Sequence, residues 1–334
     1  MLRRMKWSQL ERYYLLRALA LRRMPRAFDR AVPDAAAAPP VFAQHAPGPV
    51  YLGGKLDRVV AGGYRSLDTA DLAAWSAGRA QAEAAVMLTF DDGLRRFQDV
   101  TFPLLRARRL KSVLFVCAGL IELASGPASP LRDYVRASIL TWDELKAMQD
   151  TGLLDVQSHG LWHHMVPIAP EVLRYDATPP ATVIESQELL PADCGLGAFF
   201  TGAPAAVPRR RGEPFFLTHP EQSPAASEAA QLADLAEARA LIEARLPGSA
   251  VRAFAFPWWN GTDAARRAAY RAGYTQVYEG ARSLRRAPQR ERFAREPIGR
   301  LSFDFIDCLP GAGQRGVFAL MRAKQRGEYG CDVD

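Results

Sequence analysis

The run Leu88-Thr89-Phe90-Asp91-Asp92-Gly93 sets two carboxylates side by side where an apolar stretch enters a turn. A second polar cluster, Ser158-His159-Gly160-Leu161-Trp162-His163-His164, follows the short apolar run Leu153-Leu154-Asp155-Val156. One carboxylate and two imidazoles four residues apart form a ligand set for a divalent metal, and three protein ligands leave positions open for water and substrate. The other carboxylate of the pair is then the group that deprotonates an activated water. That chemistry is hydrolysis. An Asp-Asp-Gly run alone is more often a turn; the His pair behind a second apolar run argues otherwise.

Elements must deliver these groups to one place. Ala84 to Phe90, Ser112 to Ala118 and Leu153 to Gln157 read as short buried strands, and Ala250 to Phe256 as another, running into Pro257-Trp258-Trp259. Gln276 to Tyr278 reads as a shorter one. Between them lie helical stretches: Lys55 to Tyr64, Leu67 to Ala77 with Asp68 or Thr69 near its start, and Phe97 to Arg109 with Pro103 forcing a kink or a late start. Further helices are expected from Thr141 to about Thr151, Ala225 to Leu246, Asp263 to Ala272 and Val317 to Gln325. Strand, helix, strand in alternation implies parallel strands covered by helices. In such folds reactive groups collect at the carboxyl ends of strands, where Asp91, Asp92, His159 and His163 all fall.

The chain of 334 residues, 49% hydrophobic and 24% charged, is an ordinary globular composition with room for a sizeable core. A net charge of +7, carried mostly by Arg, could favour anionic partners, phospholipid included. No basic-aromatic pattern of a nucleic-acid module accompanies it. Cys117, Cys194, Cys308 and Cys331 are widely spaced and form no metal or disulfide motif. Residues 1–45 read as a basic amphipathic segment and linker, either docked on the protein or lying on an anionic membrane face; its apolar run is too short and too charged to span a bilayer. Residues 46–308 form the main domain, broken by a Pro-rich insertion at about 165–225 that contains Arg209-Arg210-Arg211. From about Leu284 the chain is basic and poorly periodic, and residues 309–334 form a C-terminal helix and tail.

Together these motifs resemble the polysaccharide deacetylase (NodB-like) family of carbohydrate esterases. Thr89 to Gly93 is similar to its first motif, His159-Gly160-Leu161-Trp162-His163 to its second, and Phe254-Ala255-Phe256-Pro257-Trp258 to its third. The resemblance implies a distorted (β/α) barrel of usually fewer than eight strands, here with an N-terminal helical extension and a long insertion. It implies removal of acetyl groups, mostly from N-acetylated amino sugars. It also implies that Asp91 is the general base, that Asp92, His159 and His163 bind the metal, and that a backbone N–H at Trp258 helps hold the oxyanion. Zinc is the expected metal, and an Asp/His/His donor set equally accepts cobalt, nickel or iron(II).

Three departures stand against the pattern. Ala255 stands where some members carry the Arg that orients the catalytic Asp, and Arg252 is out of register with it. The family's late Leu-His motif, source of the general acid, is absent, since no His follows His219. Gly160 replaces the small polar residue usual after the first metal His. His164 and His219 remain as imidazole candidates for the acid, with His45 well upstream; a metal-activated water or Asp91 itself are the alternatives. The expectation is a metal-dependent de-N-acetylase acting on a glycan or glycoconjugate, either free in the cytoplasm or peripheral on the inner membrane face. A glycan-binding protein with little catalysis and an O-deacetylase are the rivals.

Overall fold

The computed structural model describes residues 38–45, 47–80, 84–163, 172–176, 207–210, 224–257, 261, 263–280 and 296–325. Ten strands are described: β1 (Val41–Gln44), β2 (Arg65–Leu67), β3 (Ala85–Phe90), β4 (Ser112–Val116), β5 (Leu154–Ser158), β6 (Val172–Asp176), β7 (Val207–Arg210), β8 (Ala253–Ala255), β9 (Gln276–Gly280) and β10 (Ile298–Ser302). The α-helices among these residues are α1 (Pro49–Ala61), α2 (Thr69–Ser76), α3 (Phe102–Ala107), α4 (Ala118–Ser125), α5 (Pro130–Arg136), α6 (Trp142–Gln149), α7 (Pro224–Arg245), α8 (Asp263–Arg271) and α9 (Val317–Gln325). None of them is long and apolar enough to cross a membrane.

The main sheet is parallel throughout, in the order β1-β10-β9-β8-β5-β4-β3-β2, and β1 also pairs with β3. That last pairing closes β1, β3, β4, β5, β8, β9 and β10 into a seven-stranded barrel. Strand β2 is left over, paired with the first half of β3 through Arg65–Ala85 and Leu67–Met87. The expected distorted (β/α) barrel is therefore the fold. β6 and β7 form a separate antiparallel ribbon within the Pro-rich stretch.

Strand periodicity divides the core in two. On β3, Val86, Leu88 and Phe90 face the helices, while Ala85 and Met87 face inward with Val113, Phe115, Ala253, Ala255, Tyr278 and Ile298. One end of this interior is plugged by the start of α2. The Thr69 amide and hydroxyl donate to Asp155 Oδ2 at 3.0 and 2.5 Å, and Gln276 Nε2 donates to the Thr69 carbonyl at 2.8 Å. Local signals set the helix starts. α2 has an Asp68–Asp71 capping box, and α6, whose start at Thr141 was expected, opens on a Thr141–Glu144 box.

The chain differs from expectation at several elements. Val41–Gln44, read as linker, is a barrel strand, which extends the main domain back into the assigned N-terminal segment. Ile298–Ser302, inside the stretch read as poorly periodic, is the strand on its other side. Phe97 to Thr101 forms a π-helical turn, and the α-helix begins only at Phe102, because Pro103 has no N–H to donate and tolerates only a first turn. α4 and α5 were not anticipated. Residues 1–37 and most of the insertion lie outside the described residues, as do Cys194 and Cys331; Cys117 and Cys308 are buried free thiols.

Candidate functional site

The first motif begins where β3 stops. Gly93 N–H donates to the Asp91 carbonyl at 3.0 Å, closing a three-residue turn around Asp92 at φ 74°. This is a γ-turn with a positive central φ, a strained geometry of the kind found at active sites. It explains how adjacent carboxylates part: Asp91 continues the inward face of β3, and Asp92 swings across the barrel mouth. Gly93, at φ 82°, suits a backbone that side-chain-bearing residues rarely adopt, and a Cβ there would crowd Ile121 Cδ1 at 2.9 Å and Val116 Cγ1 at 3.3 Å.

The second motif leaves β5 in the same way. His159 N–H donates to the Val116 carbonyl at 2.8 Å, keeping pace with β4 for one residue beyond the strand. Gly160 at φ 83° then turns the chain, and His163 at φ 59° turns it again. A non-glycine residue in the left-handed region is uncommon, and Asp92 and His163 are both there.

Asp92, His159 and His163 converge so that one ligand atom from each lies within 4.8 Å of the others. Asp92 Oδ1 is 3.5 Å from His159 Nε2 and 3.6 Å from His163 Nε2. All three side chains are buried. His159 Nδ1 lies 2.8 Å from the Ala255 carbonyl, which can only accept, so Nδ1 carries the proton and Nε2 the lone pair. That Nε2 is buried without a hydrogen-bond partner and aimed at a carboxylate oxygen. Two electron-rich atoms face one another, as they would around a shared cation. Burial pushes His159 down to about 4, against the opposing pull of Asp91, so the imidazole is neutral at pH 7. The donor set, the tautomer and the second-atom hydrogen bond all fit a divalent metal. Cys117, close by, is a neutral thiol: burial first, then Asp92, Asp234 and Asp91, raise its pKa well above the ordinary value.

Asp91 has two partners that the sequence did not assign to it. Arg300, on β10 and completely buried, donates from Nη1 to Asp91 Oδ1 at 2.6 Å. Its guanidinium lies 5.5 Å from the centroid of the Phe115 ring. His45, one residue beyond β1, places Nε2 3.7 Å from Asp91 Oδ2. Burial alone would raise the Asp91 pKa, but Arg300, then His159 and His45, bring it down to about 2, so it is an ionised base. Asp91, His159, His45 and Arg300 share one logic: each lies on or just beyond a barrel strand at an inward-facing position.

The model of the polysaccharide deacetylase family matches residues 78–277. The chain belongs to that family. No curated protein sequence matches this deacetylase. Among solved structures its fold is similar to a de-N-acetylase from Aggregatibacter actinomycetemcomitans, at 18% identity over 85% of this chain and 98% of that one, with a TM-score of 0.53. IcaB from Ammonifex degensii is 20% identical over 84% of this chain and 98% of that one, with a TM-score of 0.53. The Streptococcus pyogenes deacetylase PplD in complex with acetate is 18% identical over 85% and 97%, with a TM-score of 0.52.

Asp91, Asp92, His159 and His163, the residues that family resemblance singled out, are thus brought together. Trp258, His164 and His219 lie outside the described residues. Arg300 and His45 also fall outside the matched segment of the deacetylase family, one on each side of it. Arg300 had a weak signal, a lone charge inside the apolar Pro297-Ile298-Gly299-Arg300-Leu301. His45 had another, closing Val41-Phe42-Ala43-Gln44.

Proposed function

We propose that this protein is a metal-dependent hydrolase that removes acetyl groups from N-acetylhexosamine units of a glycan or glycoconjugate. The observation that carries the reading is the buried Asp92–His159–His163 cluster beside an ionised Asp91 gripped by Arg300. A structural relative described as a de-N-acetylase, and another described in complex with acetate, support the substrate class.

Asp92, His159 and His163 would hold a divalent ion such as zinc, which would supply Lewis acidity to the acetyl carbonyl and to the attacking water. The rest of the chemistry belongs to the chain. Asp91 Oδ2 accepts the proton of the water while Oδ1 stays bound to Arg300. The water oxygen bonds to the acetyl carbon, and the C–N bond then breaks. The leaving nitrogen takes up a proton, and His45, the imidazole nearest Asp91 Oδ2, is placed to deliver it. The reading of a glycan binder with little catalysis drew on a missing Arg and a missing His; Arg300 and His45 stand against it.

Zinc- or cobalt-loaded protein should release acetate from N-acetylglucosamine oligomers faster than from acetylated xylan. Chelation, or Asp92→Ala, should abolish the release. A fully loaded protein that releases no acetate from a broad panel of amino sugars would overturn the proposal, and preference for xylan esters would make it an O-deacetylase.

A further inference from the structure

The turn between the two histidines is held from outside by two helices. Its carbonyls are taken by α4: the Ala118 N–H donates to the Gly160 carbonyl and the Gly119 N–H to the Leu161 carbonyl, each at 2.9 Å. These are first-turn N–H groups, which have no partner within their own helix. Its amide is taken by α7, since Leu161 N–H donates to Asp234 Oδ1 at 3.1 Å. The same oxygen lies against Gly160, where a Cβ would stand only 2.9 Å away. Asp234 is half-buried as a residue, but its Oδ2 is closed off from solvent. Burial pushes its pKa up to about 7, although the Leu161 N–H pulls the other way. A carboxyl kept at such a site calls for a reason, and the backbone group it receives here is the amide midway between His159 and His163.

We propose that Asp234 is a positioning residue for the metal centre: its hydrogen bond to Leu161 fixes the turn that aims His159 and His163 at a common point. The left-handed backbone at Gly160 and at His163 persists only if the surroundings over-determine it. The two carbonyl bonds to α4 locate one edge of the turn, and Asp234 locates the other. α7 thereby becomes part of the metal site, although it contributes no ligand. A residue that fills space would be replaceable by any side chain of similar volume. A residue that acts through its oxygen is replaceable only by another acceptor.

This inference rests on Asp92, His159 and His163 binding a metal, and its test separates the two. Zinc affinity and the visible spectrum of the cobalt form are measured on the full chain for wild type, Asp234→Asn and Asp234→Leu. Wild-type protein that binds neither ion removes the metal centre itself. Given wild-type binding, Asp234→Asn keeps the acceptor and should stay within about threefold of wild type. Asp234→Leu keeps the volume without the acceptor; it should lose about 10- to 100-fold in zinc affinity and shift the cobalt absorption. A folded leucine variant with wild-type affinity and spectrum would overturn the proposal. Hydrogen exchange in the wild-type protein reads the same bond without any variant. The Leu161 amide should be protected like strand amides of β5, and exchange at the rate of an open loop would equally overturn it.

Discussion

Both oxygens of Asp91 face a cationic or titratable neighbour, Arg300 on Oδ1 and His45 towards Oδ2, and these two neighbours carry separable predictions. Replacing Arg300 by Met leaves a buried carboxylate without its counter-charge, a loss of about 3–5 kcal/mol when one partner of a buried pair is removed. The Asp91 pKa, held at about 2 by burial working against Arg300 and the two imidazoles, must then rise. The base form therefore disappears at a higher pH than in wild type, and the acid limb of kcat/KM should move upward. At neutral pH kcat should fall about 10²–10³-fold with metal content unchanged, and added guanidinium should restore part of it. His45→Gln should behave differently. An amine leaves only when protonated, whereas a nitrophenolate needs no proton, so this variant should lose about 10²-fold on an N-acetylated sugar and little on nitrophenyl acetate. Equal losses on both substrates would remove His45 from the role of acid.

At the scale of elements, the strands that end in the motifs were legible from continuous apolar runs, and α6 from its opening at Thr141, because those signals are local. β1 and β10 were not. Each is short, each is preceded by proline, and β10 carries an arginine whose inward direction makes sense only once Asp91 stands opposite it. His45 was visible as a residue but not as a neighbour, since only barrel closure brings β1 against β3. The contact between α7 and the turn joining His159 to His163 was hidden for a like reason, lying beyond a long insertion. That contact has a consequence for stability. Asp234 has a folded pKa raised to about 7, so the fold favours its protonated form. Its contribution is fully present below the unfolded value near 4 and is lost as pH rises through 7. In the metal-free protein the stability of wild type relative to Asp234→Asn should therefore fall between pH 5 and pH 8, because the gain that His159, pushed down to about 4, contributes over the lower part of that range is common to both. The rise from about 4 to about 7 sets an upper bound of about 4 kcal/mol, and partial exposure reduces this to about 1–2 kcal/mol. Asp234→Asn cannot ionise, so the fall is read as the difference in Tm between the two chelated proteins across the same interval.

Over the whole molecule, Asp91 sits at the seam where the barrel closes. β1 is inserted between β10 and β3, with Val41 in register with both Arg300 and Met87. Thr89 Oγ1 donates to the Phe42 carbonyl at 2.8 Å across that seam, and Phe42 packs edge-on against Phe303, with ring centroids 6.5 Å apart. Both partners of Asp91 arrive on the seam strands, His45 just past β1 and Arg300 on β10. Loosening the seam should therefore cost activity out of proportion to stability. Phe42→Ala tests this, and Leu145→Ala serves as a control, because Leu145 is equally buried but lies on α6 on the helical face. Large-to-small changes of these kinds cost about 3–5 and 2–5 kcal/mol respectively. Measured well below both melting temperatures, Phe42→Ala should lower kcat several-fold because Asp91, His45 and Arg300 no longer share one register. Leu145→Ala should leave kcat near wild type. If the two variants lose activity only in proportion to the fraction unfolded, the seam is a structural closure and the alignment of Asp91 depends on something else.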